Sequence, residues 1–214
     1  MIHRLVIVIG VLSLAAPALA QPVVASKHAD PAPVAIAESL TTLLADGGGR
    51  AQIGDATLTF WWVKSLPLAA GASGPPEWAK VAEGSLVGAV EISASFRDIR
   101  GRTIKPGVYT LRYGIQPQDG DHLGVSSYRD FLLLSPAAVD QDPAPTGHEG
   151  TIKLSRQTIG ASHPGVWMLD PPTTSDAPLT TGTNDMKFDY VVFEVTTTGG
   201  AMRFGLVLVG KVET

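Results

Sequence analysis

Cysteine is absent from this chain of 214 residues, and charged residues make up only 17% of it. Without cysteine, disulfide bonds, thiol nucleophiles and the lipid-modified cysteine of a bacterial lipoprotein are excluded. The full sequence has 16 basic residues, and those of the mature chain form no cluster, which argues against nucleic acid as a partner. No apolar run reaches the roughly 20 residues that a membrane span needs, so no span is expected in the mature chain.

The first 20 residues have the pattern of an export signal. A short start that includes Arg4 precedes an apolar run, and Ala18-Leu19-Ala20 supplies the small residues that a signal peptidase reads. We expect cleavage between Ala20 and Gln21, and a bacterial protein that is periplasmic or secreted. Residues 21–34, rich in Ala, Pro and Val, are expected to form a flexible leader. Residues 35–214 then have the length of one domain.

Alternation of apolar and polar residues predicts strands along most of this domain. The clearest are Ala56–Val63, Ser85–Phe96 and Val108–Ile115, and a closing hairpin is predicted around Thr198-Gly199-Gly200. The run FLLL within Tyr128–Leu134 indicates a strand buried on both faces. With about eight strands, the expected fold is all-β, an antiparallel β-sandwich of which the jelly roll is one variant.

The remaining segments are expected to contain little helix. Ile36–Ala45 places apolar residues at helical spacing, which favours a short N-terminal helix over an extra strand. Pro136–Gly150 is acidic and rich in proline, and is interpreted as a surface loop. Thr151–Ser155 and Val166–Leu169 are interpreted as short strands. Within the strands, Arg112 is expected to point outward, and either Arg112 or Arg129 is expected to pair with Asp130 of a neighbouring strand.

One motif supports a resemblance. Residues 104–111 read Ile-Lys-Pro-Gly-Val-Tyr-Thr-Leu, a tight turn followed by the start of a strand. This segment resembles the PAGxYxL-type hairpin of a group of secreted bacterial β-sandwich proteins of unknown function, and covers about a fifth of the chain when its surroundings are included. The resemblance implies a sandwich fold and an exported location, and it implies no catalytic residues.

The loop after Ile115 contains the best candidates for a site. Asp119 and Asp121 flank a glycine, so their carboxylates can turn toward one point, as a calcium ion requires. Including His122 favours zinc or copper instead. His148 and His163 are further candidate ligands for such a metal. The alternative is a solvated turn in which the two aspartates bond to their own backbone.

Trp61 suggests a second kind of site. It alternates with Leu58, Phe60 and Trp62, and so faces the opposite side of its strand. If that side is open, Trp61 can stack on a sugar ring; if it is covered, both tryptophans pack.

The sequence contains no recognisable catalytic arrangement. We therefore expect an exported β-sandwich protein with a non-enzymatic role, either ligand-binding or structural, and without a cofactor. The alternatives are a periplasmic protein that binds calcium, zinc or copper, and a carbohydrate-binding or carbohydrate-active protein. The sequence does not identify a partner; an envelope protein and a glycan are the candidates.

Overall fold

A computed structural model describes residues 23–70, 78–117, 126, 128–160, 163–171 and 175–210. Most of this part of the chain is antiparallel β structure. The elements in chain order are β1 (Val24–His28), α1 (Glu38–Thr41), β2 (Leu44–Ile53), β3 (Ala56–Val63), a 3-10 helix (Trp78–Lys80), β4 (Leu86–Ile92), β5 (Phe96–Arg97), β6 (Thr103–Ile104), β7 (Gly107–Ile115), β8 (Asp130–Pro136), α2 (Gly147–Ile159), β9 (Gly165–Met168), β10 (Thr181–Thr183), β11 (Asp189–Thr197) and β12 (Gly200–Val209). In these ranges no helix is both long and apolar enough to cross a membrane.

Two antiparallel sheets form the framework. The larger has the order β1-β2-β3-β4-β7-β8-β9, and the smaller has the order β10-β11-β12. β5 and β6 form a separate two-stranded ribbon. The prediction of an antiparallel β-sandwich is confirmed. The strands of the larger sheet follow chain order, so their connectivity is that of a meander rather than of a jelly roll.

Aromatic rings dominate the core between the two sheets. Phe60 of β3 lies 4.8 Å from Phe193 of β11, measured between ring centroids. Trp62 meets Phe204 of β12 edge-on at 5.5 Å, and Trp78 meets the same ring at 5.0 Å. Such pairs add about 0.5–1.5 kcal/mol each beyond the area that they bury. The inward face of β3 predicted from alternation is therefore the face that holds the sheets together.

The N-terminal segment adds an edge strand to the larger sheet. Val24–His28 pairs with β2 from Val24 opposite Gln52 to His28 opposite Gly48. The prediction that residues 21–34 form a flexible leader is wrong for this strand. An edge strand is held by backbone hydrogen bonds, which any residue but proline can make, so its side chains need not alternate.

The predicted N-terminal helix exists but is short. α1 covers only Glu38–Thr41, and β2 begins at Leu44 and continues through Gly47, Gly48 and Gly49. The pairing of β2 with β3 shifts register between Leu44 and Gly48, and Gly47 has φ of 75°. The glycines therefore allow an irregular strand rather than a helix end.

A long helix lies where a loop and a strand were predicted. Gly147–Ile159 forms α2, so the predicted strand Thr151–Ser155 is wrong. The helix covers the outer face of β8. Its buried residues are Thr151, Ser155 and Thr158, which share one face but are polar, so hydrophobic periodicity does not reveal it. The burial of both faces of β8, predicted from its FLLL run, is confirmed.

Candidate functional site

The predicted metal ligands are only partly described. Asp119, Asp121 and His122 lie outside the described residues, so their metal site stays a prediction. His148 and His163 are described, and both line one cavity beside α2. Within the described ranges, no three His, Cys, Asp or Glu side chains are grouped closely enough to hold a metal ion.

Trp61 is only 2% exposed. Its indole Nε1 donates a hydrogen bond of 2.8 Å to the backbone oxygen of Asp30, and its ring packs edge-on against His28 at 5.1 Å. The hypothesis that Trp61 stacks on a sugar ring is therefore wrong, because the N-terminal segment covers this face of β3. Trp62, Trp78 and Trp167 are also buried. No tryptophan in the chain is left to support glycan binding.

The cavity lies between α2 and the outer face of the larger sheet, and has a volume of about 350 Å³. Its interior is mostly apolar, and its polar groups sit at the edge. The apolar lining consists of Ile99, Ile115, Pro117, Phe131, Leu133, Ile152, Pro164 and Val166, together with Gly114. The polar lining consists of Glu83, Arg100, Gln116, His148, Arg156 and His163.

Two stripes of α2 have different tasks. Thr151, Ser155 and Thr158 face the sheet; the Ser155 hydroxyl donates to the backbone oxygen of Gly165 at 3.0 Å, and that of Thr158 donates to Leu134 at 2.5 Å. The neighbouring stripe, His148-Ile152-Arg156, is spaced by four residues and lines the cavity. Small polar residues therefore hold the helix close to the sheet, while longer side chains face the cavity.

Gly114 forms part of the floor of the cavity. It lies in β7 on the face that α2 covers, opposite Phe131 of β8. A Cβ atom at this position would lie 2.3 Å from Cδ1 of Leu133. A side chain here would have to displace Leu133 and would take up space between sheet and helix. The missing side chain therefore helps to leave the space open.

Glu83 and His148 form the polar pair at one side of the cavity. His148 Nδ1 lies 2.6 Å from Glu83 Oε1, and the same oxygen accepts a hydrogen bond of 3.0 Å from the backbone N–H of Ile115. Gly84 makes this approach possible: its φ is 85°, and a Cβ there would lie 2.4 Å from the backbone nitrogen of Gly147. The pair is only half-buried, with side-chain exposures of 39% for His148 and 25% for Glu83.

A tight turn holds Arg100 at another side. Oδ1 of Asp98 accepts hydrogen bonds from the backbone N–H groups of Arg100 at 3.0 Å and Arg102 at 2.8 Å. The backbone N–H of Gly101 donates to the oxygen of Asp98 at 2.9 Å and closes the turn. Burial raises the pKa of Asp98, against the lowering effect of these hydrogen bonds and of the nearby arginines. Its second oxygen, Oδ2, is buried without a hydrogen-bond partner among the described atoms.

A closed polar cluster lies on the same face of β7. Arg112 is fully buried, and its five N–H donors are all used: two on the carboxylate of Asp140 at 2.7 Å each, and three on the backbone oxygens of Gly84, Asp142 and Ala144. Thr110 also donates to Asp140. Arg112 lies on the outer face of β7, as alternation predicts, but it is buried there because residues 137–146 fold back over it.

The predicted ion pair with Asp130 is wrong. Arg112 pairs with Asp140 instead, and Arg129 donates to the backbone oxygen of Gln116 at 2.8 and 3.0 Å. Asp130 accepts a hydrogen bond of 2.6 Å from the Tyr113 hydroxyl. Burial, and then this carboxylate, raise the pKa of Tyr113.

Sequence reasoning found two histidines of this site and missed the rest. The signals that were present are Gly160, which ends α2 in the left-handed conformation, and Gly114 inside an otherwise regular strand. No spacing in the sequence connects Glu83 or Arg100 with α2.

The chain was compared with protein families, curated proteins and solved structures. No family model matches it, and neither a curated protein nor a solved structure matches it.

Proposed function

We propose that this protein is an exported, non-enzymatic binding protein, and that the cavity beside α2 takes one small, largely apolar molecule. The observation that carries the proposal is the cavity itself: a space of about 350 Å³ with an apolar interior and polar groups at its edge. This matches the usual form of small-molecule sites, which measure roughly 300–1,000 Å³ and place a few polar groups around an apolar interior.

The way in which the cavity is built supports binding. Part of its wall comes from regular elements, namely β7, β8, β9 and α2, which are joined by backbone ladders and by the Ser155 and Thr158 hydrogen bonds. The rest of the wall comes from connecting segments, which contribute Glu83, Arg100 and His163 among others. The hydrogen bonds within the regular part hold it in position without a ligand, so a ligand does not have to order that part of the wall.

The chemistry of the lining favours binding over catalysis. None of the described residues that line the cavity is a serine, threonine, cysteine, lysine or tyrosine. Glu83 and His148 are the groups with acid–base chemistry that contact each other, and Glu83 also fixes the end of β7 through Ile115. The pair therefore has a structural task at the cavity wall.

Export is part of the same proposal. It is supported by the signal pattern of the first 20 residues and by the resemblance of residues 104–111 to secreted sandwich proteins. In the structure, the Tyr109 hydroxyl of this hairpin donates to the backbone oxygen of Lys105 at 2.9 Å, which closes the turn that precedes β7.

The test is a titration of the methyl-labelled mature protein with decanol, followed by NMR. At about 30 Å³ for each water-sized group, the cavity holds roughly a dozen non-hydrogen atoms, which fits this alcohol. The methyl groups of Ile99, Ile152 and Val166 are built-in reporters. We expect them to shift together and to saturate, while methyl groups of the inter-sheet core, such as those of Leu58, stay in place.

Ile152→Trp should occupy part of the cavity from the helix and weaken decanol binding by at least about tenfold, or about 1.4 kcal/mol, because the larger ring takes up space that the ligand needs. Leu154→Trp is the matched control, because it makes the same kind of change on α2 at a position that does not line the cavity. Equal binding by both variants, or shifts spread over the inter-sheet core, would contradict the proposal.

A further inference from the structure

We propose that the ligand of this cavity is an amphipathic anion, whose acidic head group is held by Arg100 and Arg156 while its apolar tail occupies the interior. The inference rests on the proposed binding function and adds to it the chemical class of the ligand. It is drawn from the positions and partners of the charged groups around the cavity.

Arg156 is placed at the cavity by the geometry of α2. It lies one turn beyond Ile152 and two turns beyond His148, on the stripe that lines the cavity rather than on the stripe that contacts the sheet. It is exposed, and within the described residues its guanidinium makes no hydrogen bond or ion pair. Its planar, five-donor group therefore has the geometry to grip a carboxylate with two parallel hydrogen bonds.

Arg100 is placed there by a rigid turn. The backbone of the turn is tied at both ends by Asp98, whose Oδ1 accepts from the N–H groups of Arg100 and Arg102. The Asp98 carboxylate is close enough to Arg100 to interact with its charge, but these two described side chains do not form an ion pair. The guanidinium of Arg100 is half-buried and has no ion-pair partner in the described part of the chain.

The balance of charge at the cavity favours an anion. Two arginines line it, and Glu83 is the one carboxylate among the described lining residues. Glu83 already accepts hydrogen bonds from His148 and from the backbone N–H of Ile115. It therefore stabilises the wall of the cavity rather than binding a cationic ligand. The chain as a whole carries −4, so the excess of positive charge at this cavity is local.

The experiment compares three probes with the same tail: decanoate, decanol and decylamine, each titrated into the mature protein by calorimetry at low ionic strength. We expect decanoate to bind more tightly than decylamine. Arg100→Gln and Arg156→Gln should each weaken decanoate binding roughly fivefold, as expected for a partly exposed ion pair of about 1 kcal/mol, and should weaken decanol binding by a smaller factor. Added salt should weaken the decanoate complex alone.

Lys153→Gln is the matched control, since it removes one positive charge from α2 at an exposed position that does not line the cavity. The inference is overturned if decylamine binds as tightly as decanoate, or if both arginine variants bind decanoate like the unaltered protein. Decanol binding would then still support the proposed function. Failure of all three probes to bind would overturn the proposed function and the inference with it.

Discussion

The two polar regions beside α2 have similar residues and opposite character. In the Arg112–Asp140 cluster both side chains are 0% exposed, and each guanidinium N–H has an acceptor. At the cavity, the His148–Glu83 pair is half-exposed, and the two arginines lack ion-pair partners in the described ranges. Both regions touch the same short segment, because Gly84 accepts from Arg112 through its backbone oxygen and Glu83 precedes it.

On one face of the larger sheet, the buried cluster therefore contributes to stability, while the half-exposed groups at the cavity are available for binding. Removing one partner of a buried ion pair is strongly destabilising, so the closed cluster does not tolerate the loss of a single partner, and its groups are not available to a ligand. A half-exposed pair contributes little to stability, and arginines without protein partners remain available. The three predictions below test this contrast at three carboxylates, in order of decreasing effect.

Asp140→Asn should have the largest effect. It keeps the shape of the side chain but leaves the buried guanidinium of Arg112 without a counter-charge, which costs about 3–5 kcal/mol of unfolding free energy. Urea denaturation of the unaltered protein and of the variant measures this loss of unfolding free energy. The double variant Arg112→Met with Asp140→Leu should recover most of the loss, because no charge is then buried. A loss below about 1 kcal/mol in the single variant would show that the Arg112–Asp140 pair is accessible to solvent rather than buried.

The strands that meet the core between the sheets could be predicted from the sequence. β3, β4 and β7 follow from alternation, because one face of each meets the core between the sheets and the period is visible in Leu58, Phe60 and Trp62. The closing hairpin follows from the same rule and from its glycine turn. The run FLLL in β8 predicts that something covers its outer face, although it does not show that a helix does so.

The elements that cover the outer face of the larger sheet, α2 and residues 137–146, could not be predicted because their contacts are polar and join residues distant in sequence. α2 meets the sheet through Thr151, Ser155 and Thr158, whose hydroxyl groups hydrogen-bond locally or to the sheet, so its buried stripe has no hydrophobic signature. Arg112 and Asp140 are 28 positions apart, with no motif between them. The cavity depends on both the helix and a missing side chain in β7, and neither alone predicts it.

Asp98→Asn should have an intermediate effect, visible in its dependence on pH. Burial raises the pKa of Asp98 in the folded protein above that in the unfolded chain, so the folded state holds this proton more tightly. Its contribution to stability is therefore present at low pH and is lost as pH rises from about 4, where an unfolded aspartate ionises, through the higher folded pKa. Asparagine does not titrate and can still accept the two N–H bonds of the turn.

The measurement is the unfolding free energy of both proteins at several pH values from acid to neutral. Relative to the unaltered protein, Asp98→Asn should gain stability as pH rises over this range. If the difference in unfolding free energy between the two proteins is constant with pH, or changes in the opposite direction, then Asp98 is not a poorly solvated carboxyl group beside the cavity.

Glu83→Gln should have the smallest effect on stability, and it should also change the affinity for decanoate. Glutamine keeps an acceptor for the Ile115 N–H and for His148, and the pair it replaces is half-exposed, so we expect a loss of no more than about 1 kcal/mol in urea denaturation. The same substitution removes the one described carboxylate from the lining. Decanoate should then bind more tightly, by roughly twofold to fivefold at low ionic strength, while decanol binding stays the same. Weaker decanoate binding together with a loss of several kcal/mol would mean that Glu83 belongs with the closed cluster, and that the cavity wall and the Arg112 cluster are one structural unit.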